Sequence, residues 1–252
     1  MTTTASPVLS ISDLCTPPST GFALKHIQLT AHAGELVVLL GANGAGKSTL
    51  LRTIVGEMEA TTHHFVRPEQ ISYLPQERFC AWPLPVREVV ALGLLPAQSP
   101  NSHHPRVDAA LQRCDCLPLA DKPINALSGG EQARALLARA LASEAPLLLA
   151  DEPLAALDPA HQLEMLERLQ VEAHQHQRAV IVVLHDLALT ARFADTVVLL
   201  HQGEVLAQGS VEEVMTPALL AQAYQAEFEV ELTSTPPRVQ ILRAKKSREE
   251  EG

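Results

Sequence analysis

Lys47 and Ser48 close the stretch Gly41-Ala42-Asn43-Gly44-Ala45-Gly46-Lys47-Ser48-Thr49, whose residue types and spacing suit the binding of phosphate. Glycines at 41, 44 and 46 permit positive-φ backbone that turns N–H groups inward around an anion, and a following helix adds its own free amides and dipole. Lys47 offers a mobile positive charge to β- and γ-phosphates, and the Ser48 hydroxyl is a hard oxygen donor for Mg²⁺. A second group with chemistry is Asp151-Glu152, two carboxylates at the end of the apolar run Leu147-Leu148-Leu149-Ala150. Side chains alternate across a strand, so one carboxylate is free to hold a metal while the other faces an attacking water. A third is Ser128-Gly129-Gly130-Glu131, an N-cap serine and two glycines that allow a ligand close to a helix N-terminus.

These groups need strands and helices to position them. Leu36-Val37-Val38-Leu39-Leu40 reads as a buried strand entering the phosphate loop, and Ser48 to about Val55 as a helix stopped by Gly56. Val8 to Ile11 and Leu24 to Ala33 alternate in polarity and are expected as an edge strand and an antiparallel partner. Ile71 to Leu74 is a short strand ending in Pro75-Gln76, which delivers a polar side chain. Asp158-Pro159 starts a helix to about Gln177, Ala179 to Leu184 is a β-branched buried strand, and Thr196 to Leu200 with Glu204 to Ala207 read as a hairpin. Strands alternating with helices imply a mainly parallel α/β sheet. Between them, prolines at 83, 85, 96, 100, 105, 118 and 123 punctuate short helical patterns, Val86 to Leu94 and Val107 to Cys114, which suggests a helical insert.

Composition excludes several classes. Aromatic residues make up only 3% of the 252, so Leu, Val and Ala must fill the core. The formal charge of −10 argues against nucleic acid as a partner, because non-specific binding needs a basic face. No apolar run is long enough to span a bilayer, and no Lys or Arg precedes Lys25 to form the charged start of a signal peptide, so a cytoplasmic location is expected. Cysteines 15, 80, 114 and 116 do not form a disulfide framework, and Cys114-Asp115-Cys116 lacks a second ligand pair at metal-site spacing. The pairs His63-His64 and His103-His104 read as solvated loop residues.

Taken together, the motifs resemble those of the ATP-binding cassette (ABC) ATPases. Gly41 to Ser48 is similar to the family's Walker A, Leu127-Ser128-Gly129-Gly130-Glu131 to its signature motif and Leu147 to Glu152 to its Walker B. Gln76 matches the Q-loop, Ala156-Leu157-Asp158 the D-loop and His185 the switch histidine, in register from about Leu24 to Ser210. The resemblance implies a P-loop α/β fold with a mainly parallel sheet, an antiparallel edge sheet and an inserted helical subdomain. It places the nucleotide-binding core in 1–76 and 146–235, the helical subdomain in 77–145, and a partly disordered extension in 236–252.

It also implies ATP and Mg²⁺ as cofactors and a head-to-tail homodimer. Residues Gly41 to Thr49 bind one ATP while Ser128, Gly129 and Gly130 of the second copy, with Asp158 nearby, complete the site. Glu152 is then the general base, Ser48, Asp151 and Gln76 serve the metal, Gln76 also contacts water, and His185 clamps the γ-phosphate. The family commonly stacks an aromatic on adenine, but Cys15 to Thr20 holds none, and Phe22 is the nearby candidate.

Tyr73-Leu74-Pro75-Gln76 followed by Trp82 to Gly93, and Leu184-His185-Asp186-Leu187 with Tyr224, resemble the ATPase subunits of importers for ferric siderophores, haem and cobalamin. This implies a peripheral subunit on the cytoplasmic face, docked through Arg78 to Leu94 on a membrane permease dimer that is fed by a periplasmic or surface binding protein. A soluble assembly cassette, of the type used for iron–sulfur clusters, shares every motif and is the alternative.

Overall fold

The structure is a computed structural model that describes residues 6–17, 23–76, 83–94, 101–155 and 157–244. In chain order its elements are β1 (Leu9–Leu14), β2 (Ile27–Ala31), β3 (Glu35–Leu40), α1 (Lys47–Val55), β4 (His64–Val66), β5 (Ile71–Leu74), α2 (Val86–Ala91), α3 (Pro105–Arg113), α4 (Gly129–Ala142), β6 (Leu147–Ala150) and α5 (Pro159–His174). There follow β7 (Ala179–Val183), α6 (Leu187–Phe193), β8 (Thr196–His201), β9 (Glu204–Gly209), α7 (Val211–Val214), α8 (Pro217–Tyr224), β10 (Ala226–Glu231) and β11 (Arg238–Ala244). The chain divides into two compact units, one of Met1–Ser10, Thr30–Leu36 and Val66–Val183, the other of Ile11–Leu29, Val37–Phe65 and Leu184–Gly252.

In the first unit β5, β6 and β7 run parallel, with Leu74 opposite Ala150 and Ala150 opposite Val182. Every residue of β6 and β7 is buried, as expected of parallel strands covered on both faces. Helix α4 begins with a capping box: the Ser128 hydroxyl accepts from the Glu131 N–H at 3.3 Å, and the Glu131 carboxylate accepts from the Ser128 N–H at 2.8 Å. Such a cap contributes about 1 kcal/mol. The hydrogen bonds to Ser128 hold the Glu131 carboxyl below the usual carboxylate range. Helix α5 starts at Pro159 behind the Asp158 cap, as its sequence predicts, and ends at His174, three residues short of the expected Gln177.

In the second unit β3 pairs parallel with β8, Leu40 opposite Leu199, and β8 forms the expected hairpin with β9. Strands β2, β1 and β4, in that order, form a three-stranded sheet. Gly56 ends α1 in the left-handed conformation, its N–H bonding the Arg52 and Thr53 carbonyls.

Some elements depart from expectation. His64 belongs to strand β4 instead of a loop, because β1 supplies a partner distant in sequence. Helices α6, α7 and α8 and strand β10 are short, and their tertiary partners outweigh weak local patterns. Arg243 is paired in β11 opposite Glu227, whose carboxylate accepts two 2.7 Å bonds from its guanidinium, where the sequence suggests a disordered tail; residues 245–252 lie outside the described residues. Cys114 and Cys116 are buried thiols and burial pushes both upward in pKa, which agrees with a structural role.

Candidate functional site

In the second unit the loop from Gly41 to Gly46 lies between β3 and α1 and has the predicted backbone. Gly41, Gly44 and Gly46 have φ of 147°, 77° and 106°. Gly41 admits no side chain, since a Cβ there would stand 2.4 Å from the Leu200 carbonyl oxygen of β8. The turn after β8 also grips the loop, with the Gly203 N–H donating to the Ala45 carbonyl at 3.1 Å. Lys47 is buried, and its ammonium donates to the Gly41 carbonyl at 2.7 Å and the Ala42 carbonyl at 3.1 Å. These bonds hold a positive charge against the loop, where phosphate oxygens would accept the same hydrogen bonds.

Tyr224, the last residue of α8, reaches the same loop. Its hydroxyl accepts from the Gly41 N–H at 3.0 Å, its ring meets Phe228 edge-on at 5.8 Å, and burial pushes its pKa up to about 12. A cavity of about 540 Å³ opens on the loop, lined among others by Lys25, Asn43, Gly44, His201, Gln202 and Tyr224. That volume lies within the range of small-molecule sites. Sequence reasoning places Tyr224 only by resemblance and misses Lys25 and Gln202, which come from segments without motif spacing. Phe22, the candidate for adenine stacking, lies outside the described residues.

His185 is exposed at the end of the strand β7 segment, and the preceding Leu184 N–H donates to the Leu39 carbonyl at 3.3 Å. The Asp186 side chain then caps α6, accepting from the Leu189 N–H at 2.8 Å. His185 therefore stands at the strand end where the sequence expects it, and a helix starts two residues on.

The first unit brings together Gln76, Asp151 and Glu152. The Asp151 N–H donates to the Leu74 carbonyl at 2.8 Å, which ties the end of β6 to the end of β5 and so to Gln76 two residues on. Asp151 is only 2% exposed, and Glu152 follows it in left-handed backbone, φ 48°. Both residues lie past the end of β6, so strand alternation does not govern them, and Glu152 sits in a turn that strains a non-glycine residue, a feature concentrated at functional sites. The Gln76 amide donates to the Glu152 carboxylate at 3.0 Å.

The loop of Ser128 to Gly130 lies in the same unit as Asp158, and one histidine links them. Asp158 accepts from the His161 N–H at 3.0 Å with one oxygen and pairs with the His161 ring at 2.7 Å with the other, which holds the Asp158 carboxyl below the ordinary range. The ring then lies against Gly130, where a Cβ would meet it at 2.8 Å. His161 is a residue the motif reading does not find, because its role depends on the approach of α5 to the start of α4. Ala156 lies outside the described residues.

Comparison with known proteins follows this geometry. A family model described as "ABC transporter" matches residues 24–155. The chain is 40% identical over 223 residues to the hemin import ATP-binding protein HmuV of Rhodococcus jostii, covering 82% of this chain and 76% of that one. It is also 40% identical to the protein of the same name from Shewanella denitrificans, over 81% of this chain and 89% of that one. Among solved structures, one of a metal-chelate type ABC transporter in an inward-facing conformation aligns with a TM-score of 0.84 at 25% identity, covering 96% of this chain and 99% of that one. A dimeric bacterial ABC transporter cassette aligns with a TM-score of 0.69 at 27% identity, covering 81% and 98%.

Proposed function

The chain belongs to the ABC transporter family, whose ATP-binding members are ATPases, and from that premise we propose that it powers the import of a metal-chelate cargo, haem first among the candidates. The observation that supports haem is the 40% identity, over four-fifths of the chain, to relatives named for hemin import. Among the described residues no helix is long and apolar enough to cross a membrane. In this reading the cargo path belongs to a separate permease dimer, and this subunit sits peripherally on its cytoplasmic side. A periplasmic or surface binding protein supplies that permease.

ABC cassettes form dimers, as the dimeric bacterial cassette does. In the reading offered here two copies of this chain meet head to tail, and Ser128, Gly129 and Gly130 of one complete the phosphate site made by Gly41 to Thr49 of the other. Lys47 exchanges its loop carbonyls for β- and γ-phosphate oxygens. Glu152 takes a proton from the attacking water, and Gln76, at 3.0 Å, orients its carboxylate. His185 hydrogen-bonds the γ-phosphate, and Asp158 positions the signature loop through His161. Ser48, Gln76 and Asp151 offer a hydroxyl, an amide carbonyl and a carboxylate, the hard oxygen donors that suit Mg²⁺. That ion neutralises charge on the phosphates when bound. The helical segment within 77–145, including α2 and α3, docks the permease; Arg78 and Trp82, part of the expected contact, lie outside the described residues.

Membrane vesicles holding this subunit and its cognate permease test the assignment. ATP-dependent uptake of haem, with ferric siderophore and cobalamin excluded, is the expected result. Uptake of another chelate but not haem would overturn the cargo, and ATPase activity indifferent to any permease would overturn the importer.

A further inference from the structure

A second cluster of ligating side chains lies in the second unit, on the three-stranded sheet. Asp13 of β1, Cys15 just after it and His26 just before β2 present a carboxylate oxygen, a sulfur and an imidazole nitrogen all within 4.8 Å of one another. The His26 Nδ1 is 2.5 Å from one Asp13 oxygen, and the Nε2 of His63, just before β4, is 2.9 Å from the other. The His26 N–H donates to the Cys15 sulfur at 3.3 Å.

The backbone sets these donors in place. Cys15 and Thr61 exchange two 2.8 Å backbone bonds, and the His63 N–H donates to the Ser12 carbonyl at 3.2 Å, so the segments carrying Cys15 and His63 are in fixed register. Asp13 and His26 both adopt left-handed backbone, φ 56° and 48°, uncommon for residues other than glycine. If the cluster served only as surface ion pairs, it would contribute about 0–1 kcal/mol and would have no use for Cys15.

We propose that Asp13, Cys15 and His26 bind a divalent transition-metal ion of the zinc class, with a fourth position open to solvent. A sulfur, an imidazole and a carboxylate are donors that zinc takes, and sulfur and nitrogen select against Mg²⁺ and Ca²⁺. None of the three belongs to the oxygen donors assigned to the nucleotide's Mg²⁺. Cys15 has no ligand spacing in the sequence, because its co-ligand His26 comes from a segment separated along the chain.

Co²⁺ titration of the full reduced chain without nucleotide tests the site, with Zn²⁺ as competitor. One equivalent should bind with thiolate-to-cobalt charge-transfer absorption, and Zn²⁺ should abolish it. Cys15→Ser should remove the charge-transfer band, and Asp13→Asn and His26→Ala should each weaken Zn²⁺ binding by at least about tenfold, the lower range for loss of even an outer-shell partner. A cooperative thermal unfolding transition within a few degrees of wild type in the three variants would show that they fold. Co²⁺ binding without the band, or a band that survives in Cys15→Ser, would overturn the proposal, as would Zn²⁺ affinity within twofold of wild type in both other variants.

Discussion

Replacing Glu152 by Gln tests the chemistry at its centre. The substitution is nearly isosteric, and a glutamine carbonyl can still accept from the Gln76 amide now 3.0 Å from the carboxylate. The left-handed backbone at Glu152, φ 48°, is equally available to Gln, so no new strain enters and stability should change by less than about 0.5 kcal/mol. What is lost is a group able to accept a proton. General-base catalysis contributes about 10²- to 10⁴-fold, or roughly 3 to 5 kcal/mol of barrier at 1.36 kcal/mol per decade. Lys47 and the loop amides are untouched, so ATP affinity should be retained or rise as the closed dimer accumulates. Steady-state phosphate release, nucleotide binding and sedimentation measured together decide the matter. Turnover above about a tenth of wild type, with binding intact, would refute the role given to Glu152, because even the weakest general base supplies more than that.

Tyr224→Phe keeps the ring against Phe228 but deletes the acceptor for the Gly41 N–H; a loss of about 1 kcal/mol is expected, seen as a fall in Tm of about 2–4 °C by calorimetry. Gly130→Ala places a methyl 2.8 Å from the His161 ring, and because that ring is held by Asp158 it should lower turnover; His161→Ala in the same chain should restore part of it if the clash is the cause. Glu172 is 2% exposed, with the partly buried Arg113 at 3.3 Å and the buried Arg178 at 3.5 Å, so Glu172→Ala leaves the Arg178 guanidinium buried without its carboxylate and should destabilise by about 3 kcal/mol in denaturant titration. The Glu131 carboxyl is depressed in the fold, so the stability it contributes is present above its ordinary pKa and lost as pH falls through the lowered one. Acid titration of Glu131→Gln should show a shallower loss in that interval, and an unchanged slope would remove the cap from the account.

Sequence by itself determined the phosphate loop, the paired carboxylates and the caps, because each is a local device. Gly41 to Ser48 carry their conformation in their residue types, Asp158-Pro159 and Ser128 with Glu131 start their helices through neighbours within three positions, and the all-buried β7 announces itself by its β-branched run. Tertiary structure alone decided the contacts between distant segments. Tyr224 finds Gly41 across 183 residues, Gln76 finds Glu152 across 76, and His161 closes on Gly130 only because α5 packs near the start of α4. The Asp13, Cys15 and His26 cluster has no ligand spacing to read, since the register of a sheet assembles it. Local hydrogen-bonding and φ preferences act over a few residues and leave a mark in sequence, whereas packing joins side chains whose separation along the chain is arbitrary.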